Sequence, residues 1–479
     1  MNHRAIVLSA VSLFVGAFAG GAVGSMFGVT STSGVTGAMI GGVLGVVAGL
    51  VGGIAGRLSR RRLSSLRNSS SPGEGVADRD GASGRSTSGL LASRVLDALK
   101  DGQWVPIALF VTMCCLMAYV RGVHYGGDTS RYIEGAERIL AGEPLALRQN
   151  TYVGYILYVA ALKGLGLGDL GIIVGQVVLS GLVTVALYDL GRRLSGPAAG
   201  VVAASLYAAN PDIARFTFAI LTDSLYTSSL VLMIYAFYQV QASGWTKWVT
   251  VASVTGFATA IIRPNGWTVL PLYLFLLAFG LISRRGIQQA IRPIGMMVCA
   301  TAVLLVLVFS TGLTEGNPLQ IVLDDGWAER AHPASGMVIA GDPDLLARTP
   351  SSTIRMPAGA GEGTETIFTY CINQVGACSR LFATRVWTLF AHTRSFYSFR
   401  HNLLILVTVP VIYFLASVGF IAHWRDPLSW LVLAIISVHA ALVGYSFADW
   451  DGRFLTYFFP LITLYSAIGF IGLLTLMRR

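Results

Sequence analysis

The chain has 479 residues, 54% hydrophobic and only 12% charged, whereas a soluble domain carries about a quarter charged residues. With a mean hydropathy of +0.65, this excludes a soluble enzyme and predicts an all-α, polytopic membrane protein. Lys and Arg number 34 against 24 Asp and Glu, a formal charge of +10; the arginine clusters flank apolar segments as the positive-inside bias requires, with no soluble basic stripe carrying stacking aromatics, so nucleic acid is not a predicted partner.

Residues 5–29 and 34–56 are apolar and of spanning length, joined by the polar turn Thr30–Ser33. Gly16, Gly20, Gly24 and Gly28 recur every fourth residue in the first, and Gly37, Gly41, Gly45, Gly49 and Gly53 do so in the second. That spacing lines one face of each helix with hydrogen atoms, so two backbones approach closely. A glycine-zipper helical hairpin over 1–56 is predicted, able to take a helix partner. A cleaved signal peptide is the alternative for its first segment, but the segment is long for that role and a second span follows at once. Arg57, Arg60, Arg61, Arg62 and Arg67 follow, then a Ser-, Gly- and Arg-rich stretch. Residues 57–103 therefore read as a cytoplasmic, basic, flexible linker resting on anionic membrane lipid, although a plain stop-transfer signal accounts for the arginines equally well.

From 104 to 120 the chain runs outward into a first extracytoplasmic loop, 122–151, which opens on Arg121-Gly122-Val123-His124-Tyr125-Gly126-Gly127-Asp128. After it, Tyr132, Ala136, Ile139 and Leu140 fall on one helical face and Glu134, Glu137 and Arg138 on the other, the pattern of a helix lying along the interface. Further apolar segments occupy 152–167, 170–190, 197–209, 218–240, 247–262, 265–282, 293–313, 402–422, 428–447 and 453–476. Arg192, Arg193, Lys247, Arg284, Arg285, Arg292, His423, Arg425, Arg478 and Arg479 should then be cytoplasmic, which puts 314–401 outside as a second loop. One conflict remains. Between residue 104 and Arg193 there must be an even number of crossings, yet three apolar segments lie there. Either 152–167, the shortest and interrupted by Lys163, is re-entrant or a surface helix, or the arginine pair breaks the rule.

The 314–401 loop is too short for a catalytic domain of its own and is expected to act as a lid. It offers an interfacial helix over 379–399, with Leu381, Phe382, Val386, Leu389 and Phe390 apolar, and a predicted disulfide between Cys371 and Cys378. Cys114, Cys115 and Cys299 lie in apolar segments as small hydrophobes.

Charge beside a bilayer is expensive enough to mark function. Asp128, Arg215, Asp223, Arg263, Asp449, Asp451 and Arg453 all fall at predicted extracytoplasmic ends of spans, as do His124 and Arg131. Loop ends are also where charges ordinarily sit. Arg263 stands out, because Ala260-Ile261-Ile262 precede it and Pro264-Asn265-Gly266-Trp267 follow, so it requires an anionic partner. One carboxylate on the first loop and several arginines at the lipid surface suit transfer of a sugar from a polyprenyl-phosphate donor. Asp128 is the expected base, and Arg263, with Arg215 or Arg453, the expected phosphate clamp. His124, Arg131, Tyr132, Asp223, Asn265 and Asp451 complete the predicted substrate-binding set. No phosphate-cradling loop for a nucleotide is present, and no His or carboxylate cluster has metal-ligand spacing. No cofactor is assigned, and the need for a divalent cation is left open.

These residues also carry a family resemblance. Gly127-Asp128-Thr129 with Tyr132, Ala136 and Ala141-Gly142 resembles the first external loop of GT-C fold glycosyltransferases, in particular the protein O-mannosyltransferase and lipid A aminoarabinose transferase-like group. The similarity continues through Leu190-Gly191-Arg192-Arg193-Leu194-Ser195-Gly196, Asn210-Pro211, Leu221-Thr222-Asp223-Ser224-Leu225, Ile262-Arg263-Pro264-Asn265-Gly266, and Asp451, Arg453, Phe454 and Pro460. It implies a GT-C-like helical bundle with extracytoplasmic loops over 104–479, a polyprenyl-phosphate sugar donor, inversion at the anomeric carbon and an aspartate base on the first loop. Two departures leave the acceptor class open. Asn150-Thr151-Tyr152-Val153-Gly154 stands where the family often has Pro-Pro-Gly or Lys-Pro-Pro, and Thr129 after Asp128 removes an acidic pair. The expected protein is a multi-pass enzyme of the bacterial inner (plasma) membrane, glycosylating a cell-envelope glycan, lipid or protein. The competing class is a lipid or glycan transporter or flippase, against which stand the one-sided charges and the lack of two similar halves.

Overall fold

The computed structural model describes residues 102–243, 246–285, parts of 288–303, the pairs 337–338 and 354–355, and residues 375–393, 397–445 and 452–478. The glycine hairpin, the linker to residue 101, most of 293–313 and of the second loop, Asp449, Asp451, Cys371 and the Cys378 side chain lie outside them, so the hairpin, lid and disulfide expectations do too.

The described chain is helical. In order come α1 (Val105–Val120), α2 (Thr129–Ala141), α3 (Leu147–Asn150), α4 (Val153–Gly164), α5 (Gly168–Ser195), α6 (Pro197–Ala208), α7 (Pro211–Thr217), α8 (Thr222–Ser243), α9 (Thr246–Ile262) and α10 (Pro264–Arg285). After a two-residue parallel pairing of Met337–Val338 with Ile354–Arg355 follow α11 (Val375–Ala391), α12 (Phe399–Ala422), α13 (Pro427–Tyr445) and α14 (Arg453–Arg478). Among the described residues, five helices are long and apolar enough to cross a membrane: α5, α10, α12, α13 and α14. The protein is an all-α polytopic membrane protein.

Helix starts are written locally. α6, α7, α10 and α13 each begin on a proline, whose missing N–H is one of the donors a helix leaves unpaired at its start. Asn210 adds a cap, its Oδ1 accepting from the backbone N–H of Asp212 at 2.9 Å and of Ile213 at 3.1 Å.

The apolar run 218–240 does not begin as helix. The backbone of His124 pairs with Phe218–Ile220, the His124 N–H donating to the Phe218 carbonyl at 2.9 Å and the Ile220 N–H to the His124 carbonyl at 3.0 Å. Those groups are spent on the first loop instead of on a helical turn, and α8 starts only at Thr222. Thr129 Oγ1 donates to the Ile220 carbonyl at 2.9 Å and fastens the start of α2 to the same segment.

Two contacts place α4, the shortest of the three apolar segments, relative to the first loop. Tyr125, in the first loop, donates its hydroxyl hydrogen to Asp169 Oδ2 in the first turn of α5 at 2.7 Å. Lys163 near the end of α4 pairs with Glu137 of α2 at 2.8 Å. α4 therefore starts and ends beside the first loop; its 12 residues reach about 18 Å, short of a hydrocarbon core of about 30 Å. α1 has 16 residues and α5 has 28, and of the helices between residue 104 and Arg193 α5 is the one long enough to cross a membrane.

Two predicted faces shift. On α2, Tyr132, Gly135 and Ala136 are buried, but Leu140 is 53% exposed. Gly135 packs against Ile156 of α4, so the buried strip is centred one turn earlier. The helix expected over 379–399 spans 375–391, ending where His392 adopts a left-handed φ of 58°. Leu389 is buried and Phe390 packs against Phe458 of α14, while the neighbouring Trp387 is exposed.

α14 is the most buried of the spanning-length helices. It approaches α12 at Gly419 and Gly469, where a Cβ on either glycine would collide with the other helix's backbone, and Phe420 stacks on Tyr465 at 3.8 Å between ring centres. Behind the first loop, buried Gln176 donates to the Thr217 and Ala219 carbonyls at 3.0 and 2.9 Å and accepts from Tyr155 at 3.2 Å, locking α4, α5 and the 217–219 bend together. The start of α8 is thereby held against the loop that carries Asp128.

Candidate active site

Asp223 is the second residue of α8 and is 1% exposed. Its Oδ1 accepts three hydrogen bonds: from Arg453 Nε at 2.7 Å, Arg263 Nη1 at 3.1 Å and the Tyr457 hydroxyl at 2.6 Å. Arg263 occupies the break between α9 and α10 and is itself buried. Its Nη1 also donates to Thr222 Oγ1 at 2.7 Å, and its guanidinium lies 4.8 Å from the ring centre of Tyr457 and 5.8 Å from that of Phe454. A cation so placed gains from the ring faces as well as from the carboxylate. The anionic partner that the sequence demanded for Arg263 is thus Asp223.

Arg453, the first residue of α14, reaches the other way as well. Its Nη1 donates to Asp128 Oδ2 at 3.0 Å. Asp128 precedes α2, and its Oδ1 faces Arg131 Nη1 at 3.6 Å. Charges alternate along Arg131, Asp128, Arg453, Asp223 and Arg263, which leaves one positive charge in excess. Arg453 Nη2, Arg263 Nε, Asp223 Oδ2 and the Tyr132 hydroxyl are buried without a hydrogen-bond partner. A cluster with surplus cationic donors is chemically matched to an anion, above all to a phosphate. Tyr132 is held edge-on by Tyr152 and Tyr155, at 5.4 and 4.9 Å between ring centres.

The Asp128 side chain is 30% exposed, whereas that of Asp223 is not exposed at all, so among the described residues the network is more open at its Asp128 end. The cavity touching Asp223, lined also by Tyr207, Ser224, Thr227 and Thr456, is about 10 Å³, room for about one water and no sugar.

His124 and Arg215 fall in a second cluster. Asp212 Oδ2 lies 3.5 Å from His392 Nε2, and Asp212 Oδ1 lies 3.8 Å from Arg215 Nη2. Burial raises the Asp212 carboxyl, but the His392 hydrogen bond and the charges of Arg215 and His392 outweigh it and hold the group below its ordinary range. Burial, then the charges of Arg121 and Arg215, push His124 below its usual value. The two clusters adjoin at Gly452, whose φ of 79° precedes Arg453 and which lies against the His392 ring. Asn265 sits half-buried in the first turn of α10, its carbonyl accepting from Thr268 Oγ1 at 2.7 Å.

Of the predicted set, the structure brings Asp128, Arg131, Asp223, Arg263 and Arg453 into one network, with Tyr132 beside it. His124 and Arg215 stand next to it, Asn265 follows Arg263, and Asp451 lies outside the described residues. Thr222, Tyr457, Asp212 and His392 were not singled out. Tyr457 was findable, being one helical turn from Arg453 on an otherwise apolar helix. His392 was not, because nothing local marks its approach to Asp212. Among the described residues, no three His, Cys, Asp or Glu side chains gather around a metal-sized site.

Residues 153–310 match the family model described as dolichyl-phosphate-mannose-protein mannosyltransferase. No curated protein matches the chain. The match supports a membrane glycosyltransferase of GT-C type, the kind resembled by the sequence motifs. It includes Thr222, Asp223 and Arg263 but neither Asp128 nor Arg453, which the structure joins to it through hydrogen bonds.

Proposed function

We propose that this GT-C type membrane glycosyltransferase moves a sugar from a polyprenyl-phosphate donor to a hydroxyl of an extracytoplasmic cell-envelope acceptor, with inversion at the anomeric carbon. The observation that carries the proposal is the hydrogen-bonded run from partly open Asp128 through Arg453 to buried Asp223 and Arg263, with its excess of positive charge. Asp128 takes the proton of the acceptor hydroxyl, and that oxygen attacks the anomeric carbon from the face opposite the phosphate. The bond from carbon to phosphate oxygen breaks in the same displacement, and the phosphate leaves with one more negative charge. Arg453 and Arg263 hold it as that charge develops, where donors fixed in a dry site are worth most. Asp223 acts as their counter-ion, since no face of it is open. Arg131 orients Asp128, and His124 and Arg215 flank the acceptor side.

Orientation follows from charge. Arg192 and Arg193, Lys247, His423, Arg425 and Arg478 lie at the helix ends opposite Asp128, and His423 meets the Leu194 carbonyl there at 3.3 Å. The positive-inside bias supports a cytoplasmic position for that end, since Arg131, Arg215, Arg263 and Arg453 at the Asp128 end are paired with carboxylates, and so supports an Asp128 end at the outer face of a bacterial inner membrane. Purified full-length protein incubated with a panel of polyprenyl-phosphate sugars and extracted cell-envelope glycan tests the reaction. Wild type should release polyprenyl phosphate from at least one donor and Asp128→Asn from none. Equal release by both would remove Asp128 as base.

A further inference from the structure

Arg453 serves two carboxylates, and the two are held unequally. On the Asp223 side, Arg453 Nε joins a node that also takes Arg263 and Tyr457, around a carboxylate whose side chain is wholly buried. On the Asp128 side, a single contact from Nη1 joins side chains 21% and 30% exposed. An ion pair of the second kind is weak, and one of the first is hard to open. Arg453 Nη1 and Nη2 form the fork that grips a phosphate through two parallel hydrogen bonds. Nη2 is buried without a partner, and Nη1 is spent on Asp128 Oδ2. The other Asp128 oxygen faces Arg131.

We infer that Arg453 is an exchange residue that couples donor binding to release of the base. This rests on the polyprenyl-phosphate proposal above. When the phosphate arrives, Nη1 leaves Asp128 Oδ2 and, with Nη2, donates to two phosphate oxygens, while Nε stays on Asp223. Asp128 then has a free oxygen for the acceptor hydroxyl. Donor binds first, acceptor second, and Asp128 is engaged whenever no donor is present. Arg453 is thus a positioning residue for Asp128 as well as a phosphate contact.

Competition for one guanidinium has a sign that a structural role does not share. Because phosphate and Asp128 compete for Nη1, removing the Asp128 charge should tighten binding of a short-chain polyprenyl phosphate, measured calorimetrically on the full-length protein in detergent. The gain expected from losing a partly exposed ion pair is about 2- to 5-fold for Asp128→Asn. It should vanish in an Arg453→Lys background, where a single ammonium remains by Asp223 and cannot bridge, and it should be absent for the uncharged polyprenol. A gain that persists with Arg453→Lys would mean simple charge repulsion and overturn the exchange. So would unchanged or weaker binding by Asp128→Asn. If wild type binds no polyprenyl phosphate at all, the donor proposal itself falls, and the exchange with it. One measurement needs no variant. Labelling of Asp128 by carbodiimide and an amine, read by mass spectrometry, should rise on adding polyprenyl phosphate and not on adding polyprenol; unchanged labelling or protection would overturn the exchange.

Discussion

The helix Thr222–Ser243 ends in two aspartate clusters built from the same residue types. At its start, Asp223 takes two arginines and a tyrosine. Toward its other end, Tyr235 and Gln239 reach Asp189 of α5 at 3.0 and 3.4 Å, and Asp189 also takes Arg192 and Arg193, each at 2.6 Å. The difference lies in sequence distance and burial. The Asp189 arginines are three and four residues away on the same helix and are 46% and 41% exposed. Those of Asp223 come from 40 and 230 residues away and are 7% and 21% exposed. The ion pairs of the first cluster follow from one helix having formed. The second exists only when α8, α14 and the α9–α10 break have all docked, so it reports tertiary structure and can position a reaction.

The comparison breaks most visibly at Asp223. Asp223→Asn keeps the shape and removes the charge, leaving two guanidinium groups facing each other in a site with little water. A loss of about 3–5 kcal/mol is expected, seen as a large fall in the apparent melting temperature of the detergent-solubilised protein together with loss of transfer. Survival of the fold within 1–2 °C would show that the arginines find another counter-ion. Next in size is Asp128→Asn, with at least a 100-fold loss of turnover and a melting temperature close to wild type, since this carboxylate has open solvent on one side. Arg263→Lys comes third. A lysine can replace Nη1 on Asp223 and Thr222 but loses the other guanidinium nitrogens, the partnerless Nε among them, that a phosphate would use, so apparent donor affinity should fall about tenfold with a smaller change in turnover. Unchanged donor affinity would count against the clamp.

Much of this network was legible before any fold was known. Asp128, Arg131, Asp223, Arg263 and Arg453 were each found by their position at the end of an apolar segment, because a charge there needs a reason. What could not be read was who pairs with whom. Arg263 asks for an anion, but the local sequence offers Asn265 and no carboxylate; Asp223 answers from another helix. The break at Phe218–Leu221 was invisible for a related cause: the run is apolar, carries no glycine or proline, and is held out of the helix by backbone bonds to His124, about 95 residues earlier. By contrast, the prolines that open α6, α10 and α13 act within a few residues, and the segment starts drawn there fall close to the observed ones, although the short α7 was not drawn.

The cluster around Asp212 gives the comparison a pH axis. A carboxyl held below its ordinary range stabilises the fold fully above that range, about 3.9 for a free aspartate, and the contribution is lost as pH falls through it. His124 is also held below its usual value, so the unfolded chain takes up a proton that the folded chain resists, and stability falls as pH drops through about 6.5. Melting temperature against pH should therefore decline in two stages on the acid side. His124→Gln should reduce the upper stage and leave the lower one, and Asp212→Asn the reverse. A single stage that responds to both variants would mean that the two groups titrate together.

The smallest effect belongs to Asp189, and its smallness is the point. Its arginines are neighbours on one helix turn, 46% and 41% exposed, and when Asp189 is removed they relax into water instead of being stranded. Asp189→Asn should cost about 0.2–1 kcal/mol at low salt and nearly nothing near 1 M salt, where exposed charges are screened beyond about 3 Å. Asp223→Asn, measured in parallel, should keep most of its penalty under the same salt, because its arginines are shielded from ions by α8, α9 and α14. If the two penalties shrank by the same fraction, the Asp223 node would have to be open to solvent, and with it would go the dry cationic site on which sugar transfer at this end of the bundle depends.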